Sequence, residues 1–189
     1  MCIRDRLNGA QKMDKHFLSA PLEENLPTLL GLISIWNNNF LNHHCHAVLP
    51  YAQKLKHFPA YIQQLEMESN GKNINNNGDL IIDYSTAPAI FGDVGTNGQH
   101  SFYQLLHQGI ETVPCDLIGF IETDTDPEHH KLLMNNMMAQ GQAFMQGRQE
   151  YSAKEPHRYF SGNKPNSTLL IKRLDPQHLG MLMALYEHK

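Results

Sequence analysis

Short apolar runs alternate along this chain with stretches of helical period, and that alternation narrows the fold more than any other feature. Cys45-His46-Ala47-Val48-Leu49-Pro50 reads as a strand closed by proline. Residues 80–84 form a short extended segment, and Ala89-Ile90-Phe91, entered through Pro88, forms another. Residues 115–121 read as a buried strand and residues 168–174 as the last one. Between them, residues 52–66 predict a helix with Leu55, Phe58, Ile62 and Leu65 as its buried stripe. A glycine-rich loop leads into a helix over residues 99–108. Asp126-Pro127-Glu128 opens a long helix to about Gly147, and Asp175-Pro176 caps a terminal helix. Apolar strands alternating with helices predict the α/β class: a three-layer sandwich with a mostly parallel sheet.

Toward the start, Ser19, Pro21, Glu23 and Glu24 predict a helix start, with a hydroxyl cap, a proline in the first turn and acids facing the dipole. Pro27 sits early in that helix or marks its true start, and Leu29, Leu30, Leu32, Ile33 and Trp36 give it an apolar face. Residues 1–8 have neither the apolar core of a signal peptide nor a helical period. They are set aside as a non-native junction, leaving residues 9–189 as one domain that looks cut at both ends. A chain of 189 residues buries a proper core without disulfide or metal staples. Its 3 cysteines have no paired spacing, which fits a reducing, cytoplasmic setting. The longest apolar run, residues 29–36, falls far short of the roughly 20 residues that cross a bilayer. A net charge of -4 with scattered Lys and Arg gives no reason to expect nucleic acid. A phosphorylated substrate would have to be held by a few local groups.

Several constellations invite a chemical reading. The run from Gly92 to Gly98 lets backbone N–H groups approach an anion or polar ligand, or it is simply a tight strand-to-helix turn. It has neither the dinucleotide nor the P-loop order of residues. His100, expected at a helix start, is a candidate proton carrier or a cap. Glu68 ends a helix, where an acid opposes the dipole at a cost of a few tenths of a kcal/mol, a weak hint of a function. In His43-His44-Cys45-His46 only His44 and His46 share a strand face, and no further ligand completes a metal site. His129 and His130 read as surface or capping residues. Met134, Met137, Met138 and Met145 read as core packing on one helical face.

Whole strings carry more information than single residues. Gly92-Asp93-Val94-Gly95-Thr96-Asn97-Gly98-Gln99-His100-Ser101-Phe102-Tyr103 and Met67-Glu68-Ser69-Asn70-Gly71-Lys72 resemble signatures of the glucose-6-phosphate isomerase family. So do Met13-Asp14-Lys15-His16-Phe17, Leu49-Pro50-Tyr51, Val113-Pro114-Cys115-Asp116 and Tyr186-Glu187-His188-Lys189. The resemblance implies a sugar-isomerase (SIS) type domain and an aldose–ketose isomerase acting on a sugar phosphate. By matching motif, it implies Glu68 as the base that moves a proton between C1 and C2 through a cis-enediol. His100 would assist ring opening, and Gln64 would contact substrate. A carboxylate raised by partial burial suits the first task, and an imidazole kept neutral by a helix dipole suits the second. No metal or organic cofactor is implied. The resemblance also implies a homodimer whose active site is composite, with the histidine reaching the neighbouring subunit's site. Leu65-Glu66 stands where many members have Gly-Asp, Ala52 where an aspartate often follows Pro-Tyr, and residues 148–160 look shortened. The family's phosphate-holding Ser/Thr loop, an arginine region and a final lysine fall outside these residues. The 189 residues alone are therefore expected to be an inactive part of the enzyme. The alternative is a non-catalytic sugar-phosphate-binding module of the same fold.

Overall fold

The computed structural model describes residues 2–148 and 154–189. Four strands, β1 (Cys45–Pro50), β2 (Ala89–Gly92), β3 (Cys115–Phe120) and β4 (Asn166–Ile171), form one sheet in the order β2-β1-β3-β4. Every neighbouring pair is parallel. Ala47 stands opposite Cys115 and Val48 opposite Gly92, while β3 and β4 stay in register from Cys115↔Asn166 to Phe120↔Ile171. The two central strands are buried almost throughout, because a parallel strand covered on both faces has no solvent side.

Alternation along those strands divides the core in two. Val48, Ile118 and Phe120 face one layer of helices, whereas Ala47, Leu49, Cys115 and Leu117 face the other. The first layer holds α1 (Ile3–Ser19), α2 (Leu26–Ile35), α3 (Phe58–Ile62) and α7 (Pro176–His188), which contribute Met13, Leu30, Ile62 and Leu182. The second holds the one-turn α4 (Gly95–Gly98), α5 (Tyr103–Gln108) and α6 (Pro127–Gln146), with Leu106, Met137 and Phe144. This is the expected three-layer sandwich. Both α2 and α3 continue as π-helical turns, over Trp36–Phe40 and Gln63–Glu68. Asp126 and Asp175 cap α6 and α7 as expected, accepting from the N–H groups of His129 and His178 at 3.0 and 2.8 Å.

Several local expectations need correction. The first residues do join a helix: α1 starts at Ile3 and packs along α7. Its contact rests on absent side chains at Gly9 and Gly180 as well as on the buried Met13. A Cβ on Gly9 would stand 1.9 Å from the Gln177 carbonyl oxygen, and one on Gly180 would stand 1.9 Å from that of Arg6. Ser19 ends this helix instead of starting the next, its hydroxyl donating to the Lys15 carbonyl. The cap of α2 is Asn25, which accepts from the Thr28 N–H at 3.3 Å. The apolar face expected on α2 is largely exposed at Leu32, Ile33 and Trp36, while Asn37 and Asn38 are buried. Asn38 and Asn39 turn toward the Ser85 backbone, so a polar tie decides which side of this segment faces in.

Residues 80–84 make no sheet strand, only an isolated bridge from Leu80 to Ile74. The helix expected over residues 99–108 forms only from Tyr103, as α5; residues 99–102 are a turn that follows α4. Of the four methionines, Met137 is fully buried and Met134 packs against the core, but Met138 and Met145 are exposed. Residues 149–153 of the stretch read as shortened lie outside the described residues, and its ends are joined by a bridge between Arg148 and Phe160. Among the described residues, no helix is long and apolar enough to cross a membrane, and no three acid, His or Cys side chains converge on a metal-sized site. His44 meets Asn38 and His46 meets Asp116, so the two strand histidines go to different partners.

Candidate active site

The helical run from Phe58 to Glu68 is seated by Phe58 and Ile62 in the core, and by two contacts to β2. Gln63 donates to the Ile90 carbonyl at 2.9 Å, and the Ile90 N–H points to the Met67 sulfur at 3.2 Å. That anchoring leaves Gln64 and Glu68, a helical turn apart, on an outward face. Both line an open groove of about 490 Å³ together with Tyr61, Leu65, Ser69 and Lys72. The Glu68 carboxylate is exposed and has no hydrogen-bond partner among the described residues. Lys72 reaches back to the Glu68 backbone carbonyl and puts a cation at the rim. A free carboxylate and an amide on one wall, with an ammonium beside them, can take a proton from a hydroxylated anionic ligand and orient it.

His100 lies elsewhere. It follows β2 and α4, in the turn before α5, so it does not begin a helix and the expected dipole effect on its ring does not apply. Its ring is exposed and has no hydrogen-bond partner among the described residues. The loop itself is held by packing. A Cβ on Gly92 would stand 2.0 Å from the Val48 carbonyl oxygen, and one on Gly95 would press 2.4 Å into the Tyr51 ring. Gln99 ties it to Asn136 of α6 at 2.8 Å. The tight-turn reading therefore accounts for these glycines without a ligand.

Topology separates the two candidates. Because α3 returns between parallel strands, it runs against them, and its far end reaches the edge where β2 begins. Lys72 there exchanges hydrogen bonds with Thr86, just ahead of β2, at 3.2 and 3.0 Å. His100 lies beyond the other end of β2. Four residues of strand span about 13 Å. His100 is not among the residues that line the Glu68 groove.

The sequence reading missed a buried polar chain, of which Glu66, Tyr186 and Lys189 line a separate crevice. Asp116, the second residue of β3, accepts from the Tyr186 hydroxyl at 2.7 Å. His46 Nε2 approaches the same carboxylate at 2.9 Å, outside good hydrogen-bond alignment, and it has no better partner among the described residues. Burial alone would raise the Asp116 pKa, but His46, Lys189 and the Tyr186 hydroxyl outweigh it and hold the carboxyl at about 2. Tyr186 is pushed up by burial, then by the charges of Asp116 and Glu66. Lys189 Nζ meets Glu66 Oε1 at 2.7 Å, with the two side chains 5% and 9% exposed. A signal was available. Phe58, Ile62 and Glu66 follow one another at helical spacing, and a charge on a core stripe needs a buried partner.

A further crevice, of about 530 Å³, opens at the carboxyl ends of β1, β3 and β4 and contains none of Gln64, Glu68 or His100. Its cations are engaged, Lys54 with Asp124 and Arg173 with Asp175.

Comparison with known proteins agrees with the strings noted in the sequence. The pattern of the phosphoglucose isomerase family matches residues 2–189. Glucose-6-phosphate isomerase of Nitrosospira multiformis is 53% identical over 195 residues, covering 98% of this chain and 36% of the relative. The same enzyme of Deinococcus radiodurans is 51% identical over 196 residues, covering 99% and 36%. The crystal structure of a glucose-6-phosphate isomerase from Chlamydia trachomatis superposes with a TM-score of 0.90 at 42% identity, over 97% of this chain and 36% of that one. A hypothetical protein of Thermus thermophilus, 23% identical with a TM-score of 0.65, shares the fold. The chain thus spans a little over a third of the length of the curated relatives it matches, and its fold is of the sugar-isomerase type. Matched along nearly all its residues, in sequence and in backbone, the chain belongs to the phosphoglucose isomerase family.

Proposed function

We propose that this chain is part of a glucose-6-phosphate isomerase, interconverting glucose 6-phosphate and fructose 6-phosphate in glycolysis and gluconeogenesis in the cytoplasm. Residues 9–189 make up its sugar-isomerase domain, and the first turns of α1 pack onto that domain. Glu68 is the base that carries a proton between C1 and C2 of the open-chain sugar through a cis-enediol, and Gln64 holds the substrate beside it. One observation supports this most directly: Gln64 and an unpaired Glu68 share a wall of the same open groove. Two protons move and no net redox change is needed: Glu68 takes the proton from C2 and returns it to C1, while the hydroxyl proton on the C2 oxygen is given up and the C1 oxygen gains one, an exchange that solvent or a second acid–base group carries.

His100 is the ring-opening group, and it serves the site of a second subunit. The separation of Glu68 and His100 across β2 supports this composite arrangement, because a histidine at the opposite edge cannot reach its own chain's groove. The assembly is a homodimer, and turnover requires it.

Glu68→Gln in the complete gene product tests the assignment. Turnover is expected to fall about a thousandfold, within the usual range for losing a positioned base, with substrate affinity kept. Turnover at the wild-type rate would refute Glu68 as the base. A wild-type protein that binds sugar phosphate without converting it would favour a binding module of the same fold. The 189 residues alone are expected to show no conversion of fructose 6-phosphate.

A further inference from the structure

The string Tyr186-Glu187-His188-Lys189 ends α7, and each of its four residues reaches a different element. Tyr186 donates to Asp116 on β3 at 2.7 Å, and Tyr61 of α3 donates to Glu187. His188 Nε2 pairs with Asp14 of α1 at 2.8 Å, its ring stacked on Phe17. Lys189 goes to Glu66, inside the π-helical turn. The first three contacts fix the end of α7 to the sheet and to two helices. The fourth then transfers that fixed position to Gln63–Glu68.

The turn that receives it needs fixing. A π-helical turn closes its backbone at i to i+5 and is held less regularly than α-helix. Gln63 and Met67 attach one face to Ile90 of β2. Glu66 lies two positions from both Gln64 and Glu68, so it points away from the face they share. Clamping Glu66 inward sets the rotation of the turn about its axis. An ion pair this buried contributes little net stability, since desolvating both charges offsets much of their attraction, but it has one satisfied geometry. The Lys189 ammonium is held in direction by Glu66 and by the Tyr186 ring, 5.5 Å beneath it.

We propose that Lys189 is a positioning residue for the isomerase: through its buried pair with Glu66 it fixes the rotation of the Gln63–Glu68 turn and aims Gln64 and Glu68 into the groove. The inference rests on the reading of Glu68 as the base.

The test uses the complete gene product, with Lys189→Met and with Glu66→Leu/Lys189→Met. The single variant leaves Glu66 charged and alone, so a fall in its thermal midpoint is expected. The double variant replaces the pair by apolar side chains and is expected to regain a midpoint near the wild type's. In both, kcat falls, by about a hundredfold in the single variant, the size expected when a reacting group moves by about 1 Å. At least tenfold of that loss persists in the double variant. The acid limb of the kcat/KM pH profile moves, because Glu68 sits in altered surroundings. A loss of folded molecules would lower the whole profile without moving it, and that result overturns the proposal. So does a folded variant with wild-type kcat and acid limb. Failure of both variants to fold assigns the pair to stability and overturns it equally. An inactive wild type refutes the isomerase reading itself and removes the proposal with it, whereas an active wild type with an indifferent double variant refutes the proposal alone.

Discussion

Tyr186→Phe deletes one hydroxyl and leaves a ring of nearly the same shape in place. The ring lies edge-on to Phe58, with centroids 5.4 Å apart, and that packing survives the change. What is lost is a 2.7 Å hydrogen bond to a buried, ionised carboxylate. A bond to a charged partner contributes about 1.5–3 kcal/mol, so the variant is expected to be about 2 kcal/mol less stable near neutral pH. The deficit also depends on pH, with a sign that follows from Asp116. Burial raises the pKa of this carboxyl, while His46, Lys189 and Tyr186 lower it further, to about 2. An unfolded aspartate titrates near 4. Below pH ~4 the unfolded chain therefore takes up a proton that the native state refuses. About 2 kcal/mol of stability, present above pH ~4, is lost as pH falls through ~2. Tyr186 supplies less of this lowering than His46 or Lys189, so its removal raises the native pKa only part of the way back. The gap between wild type and variant should then narrow as pH falls from ~6 to ~2.5. Urea unfolding followed by far-UV circular dichroism, across that range, measures it. A gap that is constant, or that widens in acid, would refute the argument that the hydroxyl stabilises the ionised form.

Three further outcomes follow from packing. Gly180→Ala places a Cβ 1.9 Å from the Arg6 carbonyl oxygen, so α1 and α7 must separate; a loss of about 1–3 kcal/mol in urea unfolding is expected, and an unchanged midpoint would contradict the close crossing. Met137→Ala should cost about 2–5 kcal/mol and Met145→Ala no more than about 0.5, because only the first side chain is fully buried; equal effects would mean that α6 is rotated from the orientation described. Cys2 should react with a thiol reagent in native conditions while Cys115 does not, since burial, then the charge of Asp116, pushes the Cys115 thiol up; rapid labelling of Cys115 by mass spectrometry would show that β3 opens easily.

The parts of the fold legible in the sequence are those where local pattern and burial coincide. β1 and β3 are apolar because both their faces are covered, and their runs were found nearly to the residue. The caps Asp126 and Asp175 act within their own turn, so the sequence shows them directly. Where burial depends on a distant partner, the pattern misleads. α1 begins before any apolar period because Gly9 and Gly180 bring two backbones together, and glycine carries no apolar signal. α2 looks amphipathic, yet the π-helical turn that continues it buries Asn38 and half-buries Asn39, whose partner is a backbone group more than forty residues away. Residues 80–84 have strand composition but no strand to pair with beyond Ile74.

The candidate site divides along the same line. Gln64, Glu68 and His100 were named from strings that resemble a family, and the structure puts the first two on one groove. Glu66 and Lys189, separated by 123 positions, could not be joined by any local rule, although each carried a warning as a charge among core residues. The relation between Glu68 and His100 was more accessible than it looked. Once the strands are read as parallel, a helix between two of them must end at the edge where the next strand starts, and the loop after that strand must lie at the other edge. Glu68 belongs to the first position and His100 to the second, so their separation follows from chain order alone. The composite site proposed here thus rests on topology as well as on resemblance. In that proposal two signature strings, separated by one short strand, serve one chemistry by contributing to different copies of the groove.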